Sequence, residues 1–225
     1  MKIVIFQPAD RRRNFDISGG SDYTISMQGM NLRQQRKKLL EIYREHDEQG
    51  ATFREEAVCG PGCAYCCTHF GHLDITTLEG WIIQQHIESF PSKEYNRIHR
   101  RITENRQDKE ANKASVCPFL QPDDTCLIYE QRPFSCRQLY SLKTCGEHGP
   151  LVHPQAVALA RETVCRIQQL DVAGYSGHLS YILTLLDQTP FFKLYTRGGF
   201  DPARIAGFGK SHGLCINRQS AGAGT

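Results

Sequence analysis

Four cysteines lie within nine consecutive positions of this 225-residue chain, at Cys59, Cys63, Cys66 and Cys67. The intervening Gly60-Pro61-Gly62 favours a turn, so the sulfurs of Cys59, Cys63 and Cys66 can converge on one point. Thiolates crowded together without a cation repel one another. A bound metal ion or an iron–sulfur cluster is therefore the expected reason for this spacing, with disulfides as the alternative.

Four more cysteines follow at intervals of nine, ten and nine residues, at Cys117, Cys126, Cys136 and Cys145. They lie in a proline-rich stretch, residues 116–150, that leaves little room for a long helix. Such a stretch is unusual in a compact domain, but sulfur–metal bonds can replace a local hydrophobic core. We therefore expect eight metal ligands: Cys59, Cys63, Cys66, Cys67, Cys117, Cys126, Cys136 and Cys145.

The doublet of Cys66 and Cys67 constrains how these ligands are shared. Neighbouring side chains diverge, so the two thiols cannot easily face one metal, and we expect them to bind in different directions. They could thereby link the first cysteine group to the second. Eight cysteines could form one four-cysteine site with spare thiols, or two sites, and the sequence leaves both arrangements open.

The bulk composition is that of an ordinary globular protein, with 40% hydrophobic and 23% charged residues and a net charge of +3. The N-terminus lacks the apolar core of a signal peptide, and no stretch approaches the roughly 20 apolar residues of a membrane span. We therefore expect a cytoplasmic protein without a membrane contact. Thiols stay reduced in that compartment, which favours metal ligation over disulfides.

Hydrophobic periodicity predicts a mainly α fold with helices packed around cysteine-rich loops. Thr76 and Glu79 form a capping-box pattern that starts the helix from residue 77. Gly50 ends the helix before it, and Pro154 starts a later one. The predicted helices cover residues 31–49, 77–90, 93–113, 154–170, 178–187 and 202–205. The predicted organisation is an N-terminal arm (1–28), one helical metal-binding domain (29–220, cysteine core 57–145) and a disordered tail (221–225).

These blocks together resemble the YkgJ-like cysteine cluster proteins, a family of zinc- or iron-chelating domains. The resemblance covers about residues 57–145 and rests on Cys59-x3-Cys63-x2-Cys66-Cys67, Asp74-Ile-Thr-Thr-Leu-Glu79, Cys117-Pro-Phe-Leu and Cys126-Leu-Ile-Tyr-Glu-Gln-Arg132-Pro133-Phe-Ser-Cys136-Arg137. Many members space the first pair by two residues, whereas here the spacing is three. The resemblance implies zinc or iron binding. Its flagellin lysine methylase relatives imply that a protein-modifying activity can accompany the cluster.

A different class of protein also fits part of the first block. Cys59-x3-Cys63-x-Tyr65-Cys66 is the pattern by which radical S-adenosylmethionine enzymes hold a cluster with one open iron position. Those enzymes continue with alternating strands and helices, whereas residues 76–113 predict two successive helices. Cys67 is also placed to close the open position. This interpretation is the less favoured one.

Several further residues are weaker candidates. His69 and His72 could be zinc ligands, although surface or capping positions are favoured. Arg132 and Arg137 flank Cys136 and could stabilise thiolates and bind loop carbonyls, or form an ion pair with Glu130. Cys165 is predicted to be a buried core thiol, and Cys215 to be free rather than an accessory ligand.

An iron–sulfur cluster is preferred over zinc, because zinc sites usually use two Cys-x2-Cys pairs and Cys63 with Cys66 is the single such pair. The metal could be structural, could be redox-active or catalytic, or could support basic helices that bind RNA. The physiological partner is unknown, and a protein partner or substrate is one hypothesis. Nucleic acid is disfavoured because the basic residues share their helices with acidic ones.

Overall fold

The computed structural model describes residues 30–60, 62–70, 73–146 and 149–220. For residues 219 and 220 it describes the backbone only. The predicted mainly α-helical fold is confirmed, with a single small sheet among these residues. The predicted arm (1–28), the tail (221–225) and His72 lie outside the described residues. None of the described helices is sufficiently long and apolar to cross a lipid bilayer.

The helices follow one another with short connections except around the cysteines. They are α1 (Leu32–Gln49), α2 (Tyr65–His69), α3 (Thr77–Ile87), α4 (Ser92–Glu110), α5 (Phe134–Arg137), α6 (Pro154–Leu170), α7 (Leu179–Leu186), α8 (Thr189–Tyr195), α9 (Ala206–Ser211) and α10 (Asn217–Ser220). Within the described residues, short 3₁₀ helices cover Ala51–Arg54, Tyr129–Gln131 and Pro202–Ile205. The predicted scarcity of helix in residues 116–150 is confirmed.

Local side-chain chemistry sets the helix starts that the sequence predicted. The Asn31 side chain accepts a hydrogen bond from the Gln34 N–H at 3.0 Å, and the Gln34 side chain accepts from the Asn31 N–H at 2.9 Å. Thr76 and Glu79 form the same reciprocal capping box at the start of α3. Each box satisfies backbone donors that a helix N-terminus would otherwise leave unpaired. The predicted helices 77–90 and 93–113 both end earlier, at Ile87 and Glu110.

The predicted solvated, mixed-charge helix faces are confirmed. On α1, ion pairs of 3.0 Å join Lys38 to Glu41 and Arg44 to Glu48. On α4, Arg97, Arg100 and Arg106 pair with Glu94, Glu104 and Glu110, respectively. Exposed pairs of this kind contribute little to stability. They place a carboxylate beside five of the basic side chains of α1 and α4.

A three-stranded antiparallel sheet joins the middle of the chain to its end. The strands are β1 (Asp74–Thr76), β2 (Tyr175–His178) and β3 (Cys215–Ile216), in that order across the sheet. Ile75 lies opposite Gly177, and Ser176 lies opposite Cys215. Strand β2 occupies a stretch that the sequence indicated as a spacer followed by a helix from residue 178. Because β1 leads directly into α3, the sheet holds that helix against the C-terminal half.

The main hydrophobic core forms where α3, α4, α7 and α8 meet the sheet, and a second cluster joins α1, α3, α6 and Phe134. Burying each Leu or Ile side chain stabilises the fold by about 1.5–3 kcal/mol relative to exposure. Gly80 on α3 permits close contact with α7, because a Cβ there would lie 2.8 Å from Cγ2 of Ile182. Phe134 is fully buried and anchors α5.

One predicted core residue proves to be wrong. Cys165 is exposed on α6, whereas the sequence predicted a buried thiol. The buried face of α6 includes Ala160, Thr163 and Ile167, and a residue two positions away from Thr163 or Ile167 points about 200° around a helix. The face is rotated from the predicted one because two polar residues, Thr163 and Gln168, are buried.

Candidate metal centre

The two halves of the cysteine doublet face different sets of thiols. Cys66 and Cys67 lie in the short helix α2, where successive side chains point about 100° apart. Cys66 interacts electrostatically with Cys145, Cys59 and Cys63. Cys67 instead interacts with three thiols of the later block, Cys117, Cys126 and Cys136.

We call the first set the outer thiol group: Cys59, Cys63, Cys66 and Cys145. Two contacts join the segments that carry it. The Val58 N–H donates to the Ser141 carbonyl at 2.9 Å, and the Tyr65 hydroxyl donates to the Gly146 carbonyl at 2.7 Å. Together they place the loop around Cys145 beside the turn between Cys59 and α2.

Burial and neighbouring thiols disfavour the thiolate at two members of the outer thiol group, Cys66 and Cys59. Burial raises the pKa of the Cys66 thiol to about 12, and the charges of Cys145 and Cys59 add to that rise. Burial also raises the pKa of Cys59, to which Cys63 and Cys145 contribute. Cys59 and Cys63 are nevertheless exposed, and Cys66 and Cys145 are half-buried. A bound cation would reverse the penalty by neutralising the thiolates.

We call the second set the inner thiol group: Cys67, Cys117, Cys126 and Cys136. The Cys117 N–H donates to the Cys67 carbonyl at 2.8 Å, which fastens α2 to the later loop. An isolated antiparallel β-bridge between the backbones of Leu120 and Cys126 then folds that loop back on itself. Cys117 and Cys126 pack against the main hydrophobic core. The inner thiol group is therefore built into the body of the protein.

A hydrogen bond joins two of the inner thiols, Cys67 and Cys117. A hydrogen bond from the Cys117 thiol lowers the pKa of Cys67, and the same bond together with burial raises the pKa of Cys117. Burial also raises the pKa values of Cys126 and Cys136, while the positive charge of Arg132 opposes the rise at both. Cys67 is thus the member of this group that most readily carries negative charge.

The two arginines that flank Cys136 have different roles. The Arg132 guanidinium stacks on the Tyr129 ring, with 4.1 Å from Cζ to the ring centroid. Its buried Nε has no hydrogen-bond partner among the described residues, although the group interacts with two inner thiols. Arg137 donates to the carbonyls of Arg132 and Glu130, each at 3.0 Å. The interpretation as a donor to loop carbonyls is thus confirmed for Arg137.

Cys136 is held in place by contacts that the sequence analysis did not predict. Glu79, recognised from the sequence only as a helix cap, also accepts hydrogen bonds from the Phe134 N–H at 2.7 Å and the Tyr43 hydroxyl at 2.6 Å. The Ser135 hydroxyl donates to the Asp74 carbonyl. These bonds hold the start of α5 against β1 and α3. The apolar neighbours of Glu79 in sequence, Leu78 and Gly80, were the available signal that this carboxylate is buried.

The remaining candidate residues, His69 and Cys215, belong to neither thiol group. His69 is exposed, its Nδ1 lies 2.7 Å from the Thr68 hydroxyl, and its ring stacks on Tyr65 at 4.1 Å between centroids. This agrees with the favoured surface position. Cys215 is half-buried in β3, and neither it nor any other described cysteine forms a disulfide.

The donor chemistry of both groups fits a thiophilic metal. Four cysteine sulfurs are the ligand set of structural zinc sites and of iron–sulfur clusters. Within the described parts of the chain, no three Cys, His, Asp or Glu side chains are drawn together closely enough to hold a metal ion. Zinc–sulfur bonds of about 2.3 Å require sulfurs about 3.8 Å apart. Metal binding would therefore draw the thiols of a group inwards from their separated positions.

Comparison with known families agrees with this donor set. Residues 58–171 match the model of the CxxCxxCC family, described as "Putative zinc- or iron-chelating domain". The match covers just over half of the 225 residues, and the chain belongs to this family. It begins with the first cysteine block and extends through α6, beyond the resemblance seen in the sequence. No curated protein and no solved structure gave a significant match.

Proposed function

We propose that this chain is a metal-binding protein that holds an iron–sulfur cluster, or zinc, through eight cysteine thiolates. The ligands are Cys59, Cys63, Cys66, Cys67, Cys117, Cys126, Cys136 and Cys145. The single observation that carries the proposal is that each of the other six cysteines interacts electrostatically with Cys66 or Cys67 of α2, although the eight span residues 59–145. Membership in a family described as chelating zinc or iron supports the same function.

Iron–sulfur is the preferred cofactor, and its chemistry would be one-electron transfer. Cys63-x2-Cys66 is the single tight pair of the zinc-knuckle type in the chain. The partial burial of the inner thiol group beside the hydrophobic core would shield a cluster from water. Arg132 would hold a positive charge beside it, and Arg137 would keep the ligand loop in place. The reducing cytoplasm is the compartment in which such thiols remain available.

The radical S-adenosylmethionine alternative receives less support. That chemistry needs three cysteine ligands and one open position on the cluster. The sequence suggested Cys67 as the thiol that could close that position, but Cys145 interacts with both Cys59 and Cys66. A fourth thiol beside the motif disfavours an open site. Binding of RNA through α1 and α4 is also disfavoured, because carboxylates on the same helices pair with Lys38, Arg44, Arg97, Arg100 and Arg106.

The test is the metal and acid-labile sulfide content of protein purified without oxygen, together with its visible spectrum. Iron and sulfide in equal amounts with a brown colour would support the cluster and make its reduction the next measurement. Stoichiometric zinc without colour would leave a structural zinc module. A folded chain that takes up neither iron with sulfide nor zinc would overturn the proposal.

A further inference from the structure

We propose that the eight cysteines form two separate four-thiolate metal centres, joined through the Cys66–Cys67 peptide, of which the outer exchanges its metal faster. The outer centre uses Cys59, Cys63, Cys66 and Cys145. The inner centre uses Cys67, Cys117, Cys126 and Cys136. This inference rests on the proposed function, and it adds the number of centres, the division of ligands and a difference in lability.

Two hydrogen bonds made by α2 divide the ligands first. The Tyr65 hydroxyl, on the residue before Cys66, donates to the carbonyl of Gly146, the residue after Cys145. The carbonyl of Cys67 bonds to the Cys117 N–H. Each end of the doublet is therefore fastened to a different loop, and each loop brings its own cysteines.

Thiol–thiol interactions give the same division. Within each group the thiols interact electrostatically with one another, and the interaction of Cys66 with Cys67 joins the two groups. A single four-cysteine site could be built from one group alone, which the zinc count below tests, whereas a site that mixed the groups around the doublet would need both Cys66 and Cys67. Because consecutive residues of a helix point about 100° apart, Cys66 and Cys67 could not both enter such a site without unwinding α2.

The surroundings of the two centres differ. Cys59 and Cys63 are exposed, so incoming chelators can reach the outer sulfurs directly. Cys117 and Cys126 pack on the core that contains Phe119 and Ile128. Glu79 and Ser135 also hold the segment before Cys136 in place. Release from the inner centre therefore requires local opening of packed structure, which costs free energy that the outer centre does not pay.

The experiment uses the full chain loaded with Zn²⁺, which four thiolates bind without the need to assemble a cluster. Zinc per chain and its release to a colorimetric chelator are measured for the wild type, Cys145→Ser and Cys136→Ser. Cys165→Ser is the matched control. The expected result is two zinc per wild-type and control chain, released in a fast and a slow phase.

Each ligand variant is expected to lose one of the two equivalents. Cys145→Ser should retain the slow phase, and Cys136→Ser the fast one. Circular dichroism checks folding, and Cys63→Ser and Cys126→Ser replace either variant that does not fold. One zinc per wild-type chain, or loss of both equivalents in each variant, would overturn the two-centre inference while leaving the proposed function standing. Failure of the wild type to bind zinc, iron or a cluster would remove both.

Discussion

The carboxylate of Glu79 accepts a 2.7 Å hydrogen bond from the backbone N–H of Phe134, 55 residues later in the chain. The same side chain accepts from the Tyr43 hydroxyl and from the N–H and hydroxyl of Thr76. One buried group thus connects α1, the start of α3 and the start of α5, which carries Cys136. Its four donors compensate for the cost of burying a charged group.

Glu79→Gln should therefore destabilise the fold by about 2–3 kcal/mol, because an amide nitrogen would face N–H donors and leave buried groups unpaired. Urea denaturation of the metal-free protein measures the loss. Glu162→Gln, an exposed change on α6, is the control and should have almost no effect. Equal stability of the two variants would show that the Glu79 bonds contribute little.

Arg132→Met should lower the reduction potential of a cluster at the inner thiol group by on the order of 50–100 mV. A nearby unit positive charge, at an effective dielectric constant near 20, favours the reduced, more negative state by roughly that amount. A redox titration followed by visible absorption gives the shift. Arg100→Met, on the exposed face of α4, should leave the potential unchanged. An unchanged potential in both variants would argue against Arg132 acting on the inner thiols.

Gly80→Ala should destabilise the protein by about 1–2 kcal/mol, although alanine favours helices. The new Cβ would lie 2.8 Å from Ile182 and 3.0 Å from Leu186, so α3 and α7 must separate. Gly207→Ala on α9 is the matched control, since its Cβ would meet nothing within 4 Å. That change should be neutral or stabilising by up to about 1 kcal/mol. Thermal unfolding of both variants tests the opposite signs.

His46 should make folding less favourable in mild acid. Its ring is buried, with Nδ1 2.9 Å from the Thr163 hydroxyl, which itself donates to the Leu159 carbonyl. Burial, together with the charge of Arg54, lowers its pKa to about 4 in the folded protein, against about 6.5 when unfolded. The unfolded chain therefore binds the extra proton as the pH falls below about 6.5.

Between pH 7.5 and pH 5 the free energy of unfolding should therefore fall by about 2 kcal/mol more than it does in a variant without the imidazole. Urea denaturation of the wild type and His46→Gln at both pH values isolates this contribution, because other titrating groups cancel. The wild type should lose its advantage over the variant as the pH falls. A constant difference across this range would show that His46 does not titrate between the two states.

Local chemistry explains why much of the architecture could be predicted. The caps at Asn31 and Thr76 and the proline at residue 154 act within one helical turn, so their residues alone indicate where helices begin. The proline-rich stretch between residues 116 and 150 likewise excludes a long helix through local backbone constraints. The predicted ligand chemistry depends on residue type, because sulfur prefers the same metals in any fold.

Contacts between distant segments decided the rest. Strand β2 forms because β1 and β3 pair with it, and no pattern within four residues encodes that pairing. The rotation of α6 that exposes Cys165 follows from Thr163 meeting His46 across 117 residues. The sequence determined which thiols are available and that Cys66 and Cys67 diverge. Tertiary structure decided which loop meets each of them, because that choice depends on where Cys117 and Gly146 are held against α2.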